Sequence, residues 1–316
     1  MIARLSGRSK PMQEERETMR RRLSLTEHGV VAGMIVFALL VILPLPGRAR
    51  DQARSAACMT NLRLLTQAWL EYAADYDGHL VGGSDYHSAT RPTPYRWVER
   101  PLYRDTDNPG APPEGRNSPV PPMSDLCLEY RLNGIRAGKL FPYVQDTRLY
   151  HCPNDRTWLD VPEPYAAYRS YSISGTMNAE DYATRLGWPG YVPPSGYRAI
   201  TMPDGSTHRL VLAEDYSQIR NPSAKFVFME ESAFTHNHHW LYGSFVLMGQ
   251  GFWSWWDWPA PFHENQTNIG FADGHVEVKQ WQDERTIRLT RGELISITQP
   301  DNPDLLWMIH GYMLDR

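Results

Sequence analysis

Acidic residues and histidines in the C-terminal half of the sequence have the composition of a metal site. They are Glu230, Glu231, His236, His238, His239, His263 and Asp273. Zinc prefers imidazole and carboxylate ligands, and a catalytic zinc keeps one coordination position open. The stretch His236–His239 could present two imidazoles from one strand face, but no spacing fixes a third ligand. A metal-dependent hydrolase is therefore one hypothesis, and histidines on the surface of an aromatic loop are the alternative.

Four tryptophans within six residues could form a binding surface. They are Trp253, Trp255, Trp256 and Trp258. Such a cluster can give a flat platform on which a polysaccharide stacks, or a patch on which a protein docks. The alternative is that the rings fold over a sheet as an apolar lid. No carboxylate pair with recognisable spacing accompanies them, so glycoside hydrolysis is not indicated.

The three cysteines could pair if the chain folds in an oxidising compartment. Cys127 and Cys152 flank a predicted helix–strand unit, whose strand covers 149–152, and they are the expected disulfide. Cys58 lies on a predicted helix, where it either packs in the core or pairs with Cys152 instead. No arrangement of histidine and asparagine can be tied to any of the three, so a catalytic thiol is not indicated.

Length and composition permit a large folded domain and exclude several classes of protein. The 316 residues are 41% hydrophobic and 22% charged, which is enough apolar surface for a core. The net charge of −4 removes any global electrostatic case for binding nucleic acid. No dinucleotide, phosphate-loop, zinc-protease or serine-hydrolase signature is present.

The N-terminal region has the pattern of a membrane anchor. Residues 29–45 contain no charge, and as a helix they would span about 26 Å, slightly less than a hydrocarbon core. Residues 1–22 form a basic leader that carries more arginine and lysine than the segment behind the span, which favours a cytoplasmic N-terminus. A cleaved secretory signal and a buried core helix are the alternatives.

Helical periodicity continues beyond the apolar run. Pro44 predicts a kink, and apolar residues then recur with 3,4 spacing. They are Leu62, Leu65, Trp69, Tyr72 and Tyr76. Asp77 and Gly78 supply a stop with a residue that tolerates positive φ. The sequence thus predicts one kinked helix over 23–78, whose second half packs on a globular domain.

Asp273 and Gly274 predict a β-hairpin near the C-terminus. Asp-Gly between two β-prone runs is a strong signal for a two-residue turn. That register would place Phe271 opposite Val276 and Ile269 opposite Val278, with all four on one face. The run KFVFMEE at 225–231 predicts another short strand.

The chain resembles the type IV pilin and type II secretion pseudopilin superfamily. The residues 23–27, Leu-Ser-Leu-Thr-Glu, lie where those proteins have Phe-Thr-Leu-Ile-Glu, and Pro44 follows Glu27 at the same distance as the family's helix proline. His263, nine further residues and then Asp273-Gly274 resemble the prepilin-type proteins with a His-x9-Asp-Gly motif. Blocks at 58–78, 138–155 and 220–232 agree in order.

The resemblance implies a place for the leader and for the site residues. The family is cleaved after a glycine and methylated on the new N-terminus, and the corresponding pair here is Arg22-Leu23. Glu27 would neutralise the N-terminal amine of a neighbouring subunit, or pair with leader arginines if the leader stays. The resemblance implies no cofactor. Some type II secretion pseudopilins bind calcium in a C-terminal loop, so a calcium ion at His263 and Asp273 is the alternative.

Together these observations predict an α+β fold. A long kinked transmembrane helix would pack on an antiparallel sheet, within a pseudopilin-like domain at 79–316. Loop-rich insertions would decorate it, a Pro-rich one at 91–122 and an aromatic one at 232–262, before the hairpin motif at 263–281.

The expected function is that of a non-enzymatic subunit or accessory protein of a type II secretion or type IV pilus-like system. The protein would cross the bacterial inner membrane once, with its domain in the periplasm. Its partners would be other pseudopilin or secretion-system subunits, or other copies of the chain. A membrane-tethered binding module, for example for a polysaccharide, is the main alternative, and the metal-dependent hydrolase is the second.

Overall fold

A computed structural model of the protein describes residues 25–42, 45–83, 96–99, 125–155, 168–178, 199–201, 205–209, 212–232, 243–247, 253–260, 262–293, 295–312 and 314. The helices in these ranges are α1 Leu25–Ile42, α2 Leu45–Asp75, α3 Asp125–Ala137, α4 Phe141–Val144, α5 Glu284–Thr290 and α6 Pro303–Tyr312. The strands are β1 Tyr171–Ser174, β2 Ala199–Thr201, β3 Thr207–Arg209, β4 Phe226–Glu230, β5 Ser244–Phe245, β6 Gln266–Phe271 and β7 Val276–Gln280. The predicted α+β class is confirmed.

The chain divides into two compact units, Met1–Gln52 and Ala53–Arg316. In the first unit, α1 exposes between 41% and 69% of each of six large apolar side chains. They are Val30, Val31, Met34, Ile35, Val36 and Phe37. Among the residues that the structure describes, no helix is long and apolar enough to cross a membrane.

The leader and kink residues lie at the edge of what the structure describes. Arg22, Leu23 and Pro44 are outside the described residues, as is the side chain of Glu27, whose backbone belongs to α1. Within the described residues, α1 covers Leu25–Ile42 and α2 covers Leu45–Asp75, and the predicted kink at Pro44 stays a prediction.

The second half of α2 carries the predicted apolar stripe. Leu62, Leu65, Trp69 and Tyr72 are all buried, at the spacing that places them on one face of the helix. Tyr76, one turn later, is half exposed and stacks on Tyr72 with 4.3 Å between ring centroids. This stripe therefore forms one wall of the core of the second unit.

The predicted helix stop is also confirmed. Asp77 and Gly78 both have positive φ, at 55° and 93°. The N–H of Gly78 donates to the carbonyl of Ala73 at 2.7 Å, which satisfies one of the last helical carbonyls. Glycine at the second of these positions removes the steric cost of a Cβ in that conformation.

The main sheet is mixed, which corrects the prediction of an antiparallel sheet. Its strand order is β5-β1-β4-β6-β7. The pairs β1–β4, β4–β6 and β6–β7 are antiparallel, whereas β5 runs parallel to β1. β1 and β5 both run in the direction opposite to β4, so they are parallel to each other. β5 has two residues within a segment predicted to be an insertion, so no periodicity revealed it.

The sheet separates two apolar clusters. On one face, Tyr171, Ile173 and Phe228 pack with the buried stripe of α2. On the other face, Phe226, Ile269 and Phe271 pack with α5 and α6. β4 and β6 are central in the sheet and buried on both faces, so polar side chains on them need partners within the protein.

Helix α2 lies close to the sheet at Gly270. A Cβ built on Gly270 would overlap the hydroxyl oxygen of Thr66, which itself donates to the carbonyl of Leu62. Glycine is required here because any side chain would push the helix away from β6.

The hairpin forms with a different register from the one predicted. Gly270 lies opposite Val276, and Ile269 lies opposite Glu277. The loop has three residues and not two, because Phe271 pairs with His275 through a 2.9 Å hydrogen bond and Gly274 adopts φ 97°. This one-residue shift exchanges the two faces of β7.

The shift changes the neighbours of the turn. Phe271 stacks on His275, with 4.3 Å between ring centroids, in place of facing Val276. Val278 is 42% exposed, so the predicted four-residue apolar face does not form.

Two predicted insertions contribute to the core. Trp97, within the Pro-rich segment, is fully buried, donates to the carbonyl of Gly83 at 2.7 Å and packs edge-on against Phe228. The aromatic segment supplies β5 and the buried Trp255. The predicted strand at 149–152 is wrong, because Thr147–Tyr150 is a 3-10 helix capped by Asp146.

Candidate functional site

Four side chains with metal-binding and acid–base chemistry meet at the interface between α2 and the sheet. They are Cys58, Cys152, Glu230 and His263, and we call them the Cys/Glu/His cluster. One sulfur, nitrogen or oxygen atom from each lies within 4.8 Å of the others. All four residues are buried, at 0 to 9% exposure. Each comes from a different part of the chain, so the cluster exists only in the folded protein.

The helix positions Cys58 by its apolar periodicity. Cys58 is one turn before Leu62 and in phase with Leu65 and Trp69, so the stripe that faces the sheet begins with a thiol. Cys152 lies in a turn just after the 3-10 helix. Its N–H donates to the hydroxyl of Ser170 at 2.9 Å, and its carbonyl accepts from the N–H of Asp155 at 2.9 Å.

Glu230 is the last residue of β4, on the face that meets α2. Its neighbour across the sheet on β1 is Tyr171. On the other side, the backbone N–H of Asn268 donates to Oε2 at 2.8 Å, and the amide of Asn268 donates to Oε1 at 3.3 Å. These bonds hold Oε2 against β6 and direct Oε1 toward the centre of the cluster.

His263 reaches the cluster from the turn before β6. Its carbonyl accepts from the N–H of Gln266 at 3.1 Å, and Glu264 between them has φ 59°. Nε2 of His263 lies 2.9 Å from Oε1 of Glu230 and 3.4 Å from the sulfur of Cys152. The other ring nitrogen, Nδ1, is 3.2 Å from the amide of Asn154.

The thiol of Cys58 completes the network. It donates to Oε1 of Glu230 at 2.6 Å and lies 2.9 Å from the hydroxyl of Tyr171. Oε1 of Glu230 therefore receives hydrogen bonds from a thiol, an imidazole and an amide.

Burial and hydrogen bonding shift the acidity of these groups in different directions. Burial alone lowers the pKa of His263, but hydrogen bonds to Cys152 and Glu230 and the charge of Glu230 raise it to about 10. Burial also raises the pKa of Cys58 well above its ordinary value. Burial opposes ionisation of Cys152, yet hydrogen bonds with Cys58 and His263 outweigh it and lower the pKa of Cys152. These shifts favour a charged imidazole on His263 and a thiolate on Cys152, and they disfavour a thiolate on Cys58.

The other predicted ligands lie elsewhere. Glu231 is buried beside the cluster residue Glu230, but its carboxylate accepts from the hydroxyl of Ser172. Asp273 is exposed in the hairpin turn and accepts from the N–H and ring of His275. The predicted site of His263 with Asp273 therefore does not form, because the turn carries Asp273 to the surface. His236, His238 and His239 lie outside the described residues.

Two of the four clustered tryptophans are part of the core. Trp255 and Trp258 are 0% and 3% exposed, and Trp255 packs edge-on against Trp281. Trp253 and Trp256 are half-buried. The lid alternative accounts for the buried pair, which leaves little of the cluster for a ligand platform.

The cysteine geometry differs from the expected pairing. Cys152 has a free thiol in the structure, as has Cys58, and the side chain of Cys127 lies outside the described residues. Cys152 neighbours Cys58, the alternative partner that the sequence offered. Sequence reasoning also selected Glu230 and His263 as ligands, but it did not group them with Cys58 and Cys152, and it missed Tyr171, Asn154 and Asn268. The phase of Cys58 with the apolar stripe was the one usable signal.

Comparisons with protein families, with curated proteins and with solved structures found no match to this chain.

Proposed function

We propose that the chain is a non-enzymatic, pseudopilin-like subunit or accessory protein of a type II secretion or type IV pilus-like system. It would be held in the bacterial inner membrane by its N-terminal helix, with the N-terminus in the cytoplasm and the globular unit in the periplasm. Its partners would be other pseudopilin or secretion-system subunits, or further copies of the same chain.

The observation that carries this proposal is the helical N-terminal region, with its two different kinds of surface. In α1, apolar side chains from Val30 to Phe37 are exposed. In the second half of α2, the apolar stripe is buried against the sheet. An exposed run of large apolar residues needs an apolar environment, which a membrane or the core of a filament supplies. A buried stripe on a sheet is the arrangement that the pilin resemblance implies.

The two alternative functions have less support. A binding module that uses the tryptophan cluster would need exposed rings, but Trp255 and Trp258 are buried. A hydrolase that uses the Cys/Glu/His cluster would need a path for substrate, but all four residues are buried. We therefore expect neither glycan retention at Trp255 and Trp258 nor hydrolytic turnover at the Cys/Glu/His cluster.

A charge in α1 is expected to release the protein from the membrane. Phe37 is 69% exposed and lies at the centre of the predicted span 29–45. Phe37→Arg should weaken insertion by about 3 kcal/mol, because arginine is strongly disfavoured at a helix centre and phenylalanine is favoured. The measurement is the fraction of full-length protein that stays with membranes after an alkaline carbonate wash.

The matched control is Leu64→Arg, on the exposed side of α2 and outside the predicted span. It should stay with the membranes as the wild type does. Recovery of the wild-type protein in the soluble fraction would refute the anchor.

The intact mass of the protein extracted from its native membranes tests the role in assembly. A chain that begins at Leu23, with an added methyl group, is expected for a processed filament subunit whose Glu27 meets a neighbour's amine. A chain that begins at Met1 would contradict the filament subunit and leave the accessory role with a permanent anchor.

A further inference from the structure

We propose that Cys58, Cys152, Glu230 and His263 form a structural zinc site that fastens helix α2 to the sheet. The cluster offers four ligand atoms, two sulfurs, one imidazole nitrogen and one carboxylate oxygen, and all three of these ligand types occur in protein zinc sites. Thiolate and imidazole together select zinc over calcium and magnesium, which prefer oxygen ligands. The proposal does not depend on how the chain is anchored or what it assembles with.

The spacing of the donor atoms suits a tetrahedral ion. Zinc bonds of about 2.0–2.3 Å place the ligand atoms of a tetrahedron about 3.3–3.8 Å from one another. The sulfur of Cys152 is 3.4 Å from Nε2 of His263, and Oε1 of Glu230 is 2.9 Å from Nε2. All four donors lie within 4.8 Å of one another. Oε1 of Glu230 lies only 2.6 Å from the sulfur of Cys58 and 2.9 Å from Nε2, so the Cys58 and Glu230 side chains would move outward to admit the ion.

The groups behind the ligands already orient them. Oε2 of Glu230 is held by the N–H of Asn268, which leaves Oε1 as a single ligand atom. The hydroxyl of Tyr171 is placed to donate to the sulfur of Cys58. Nδ1 of His263 faces the side-chain amide of Asn154, whose oxygen accepts the Nδ1 proton when the amide is turned. Partners of this kind fix ligand orientation in metal sites.

The charge balance favours a dication. Two thiolates and one carboxylate around zinc leave a net charge of −1. Hydrogen bonds from the hydroxyl of Tyr171 and the N–H of Asn268 would stabilise that negative charge. Without a cation, a carboxylate, an imidazole and two thiols are buried in an apolar core, where polar groups are costly unless fully paired. A disulfide between Cys58 and Cys152 would give no role to the buried Glu230 and His263.

The position of the cluster indicates a structural role for the ion. Four protein ligands close the coordination shell, and burial excludes water, whereas a catalytic zinc keeps an open position. The ligands come from α2, from the turn after the 3-10 helix, from β4 and from the turn before β6. The hydrogen-bonded pairs span 172 residues from Cys58 to Glu230 and 111 residues from Cys152 to His263. One ion would therefore join distant parts of the chain.

The test is the metal content of full-length protein purified in detergent without added metal, chelator or reductant. We expect one zinc ion per chain that survives gel filtration. Cys58→Ser, Cys152→Ser and His263→Gln should each lose it. His275→Gln is the matched control, because His275 is a partly exposed histidine of the neighbouring hairpin, and it should keep the ion.

Cobalt provides a readout that does not depend on the folding of the variants. Wild-type protein stripped with a chelator and loaded with Co²⁺ should show intense sulfur-to-cobalt charge-transfer absorption and the visible bands of a tetrahedral ion. His263→Cys replaces one zinc ligand with another, so it should retain zinc where His263→Gln does not.

Two results would overturn the proposal. One is a folded wild-type protein that carries no zinc and gives no sulfur-to-cobalt absorption. The other is a Cys58–Cys152 disulfide in the non-reduced protein, seen by intact mass as the loss of two hydrogens. Either result leaves the membrane anchor and the assembly role untouched, and release of the wild type from membranes leaves the zinc site untouched.

Discussion

Replacing Trp69 with alanine is expected to lower the free energy of unfolding by about 3–5 kcal/mol. Trp69 is fully buried in the middle of the α2 stripe and contacts the ring of Tyr216 with 5.9 Å between centroids. Truncation removes the transfer free energy of a whole indole and leaves a cavity that the helix and sheet cannot fill without moving. No other residue on α2 buries a larger side chain in the described part of the chain.

Denaturant unfolding of the full-length protein, followed by circular dichroism, measures this loss. Leu64→Ala is the control, because Leu64 lies on the exposed side of the same helix at 38% exposure. It should cost well under half as much as Trp69→Ala. Equal losses from the two variants would mean that α2 does not pack on the sheet through this stripe, and the pilin-like arrangement would lose its main support.

Replacing Glu230 with alanine is expected to cost a similar amount, about 3–5 kcal/mol, in protein that has been reduced and freed of metal. Glu230 is fully buried and pairs with His263 at 2.9 Å. Its removal leaves the imidazole of His263, the N–H of Asn268 and the thiol of Cys58 without their acceptor in the core. Losing one partner of a buried charged pair is costly because the other partner stays desolvated.

Two further variants separate this effect from general damage. Glu230→Gln keeps the shape and an acceptor oxygen, so it should cost less than the alanine variant. Glu277→Ala removes an exposed carboxylate from β7 of the same sheet, and its unfolding free energy should stay within about 0.5 kcal/mol of the wild type. If Glu230→Ala behaves like Glu277→Ala, the cluster does not hold the interface between α2 and the sheet.

Local patterns in the sequence predicted several elements of this protein correctly. The 3,4 spacing of Leu62, Leu65 and Trp69 predicted the buried face of α2, and Asp77-Gly78 predicted its end. The apolar run at 225–231 predicted β4, and Asp273-Gly274 predicted that a hairpin forms. These predictions succeeded because each depends on periodicity or on the backbone preference of a few neighbouring residues.

The sequence did not predict the correct structure where a segment suits two local conformations about equally well. Asp-Gly suits both a two-residue turn and a three-residue loop with Gly274 at positive φ. Packing of Phe271 and Ile269 against α5 and α6 selects the longer loop, and the shift of one residue exposes Val278. Likewise, no sequence pattern predicts β5, because two residues are too few to show the alternation of apolar and polar side chains that is typical of a strand.

Which chemical groups meet depends on packing between distant parts of the chain. Glu230 and His263 were visible as ligand types, but among the described residues their partners are Cys58 and Cys152, and Asp273 lies in the exposed hairpin turn. Side chains on β4 alternate between the two buried faces of the sheet, and this alternation places Glu230 on the face toward α2. Cys58 faces the sheet because it lies on the same face of the helix as the apolar stripe. The stripe of α2 and the register of β4 and β6 together bring residues 172 apart within 2.6 Å, a long-range consequence of packing that no local pattern contains.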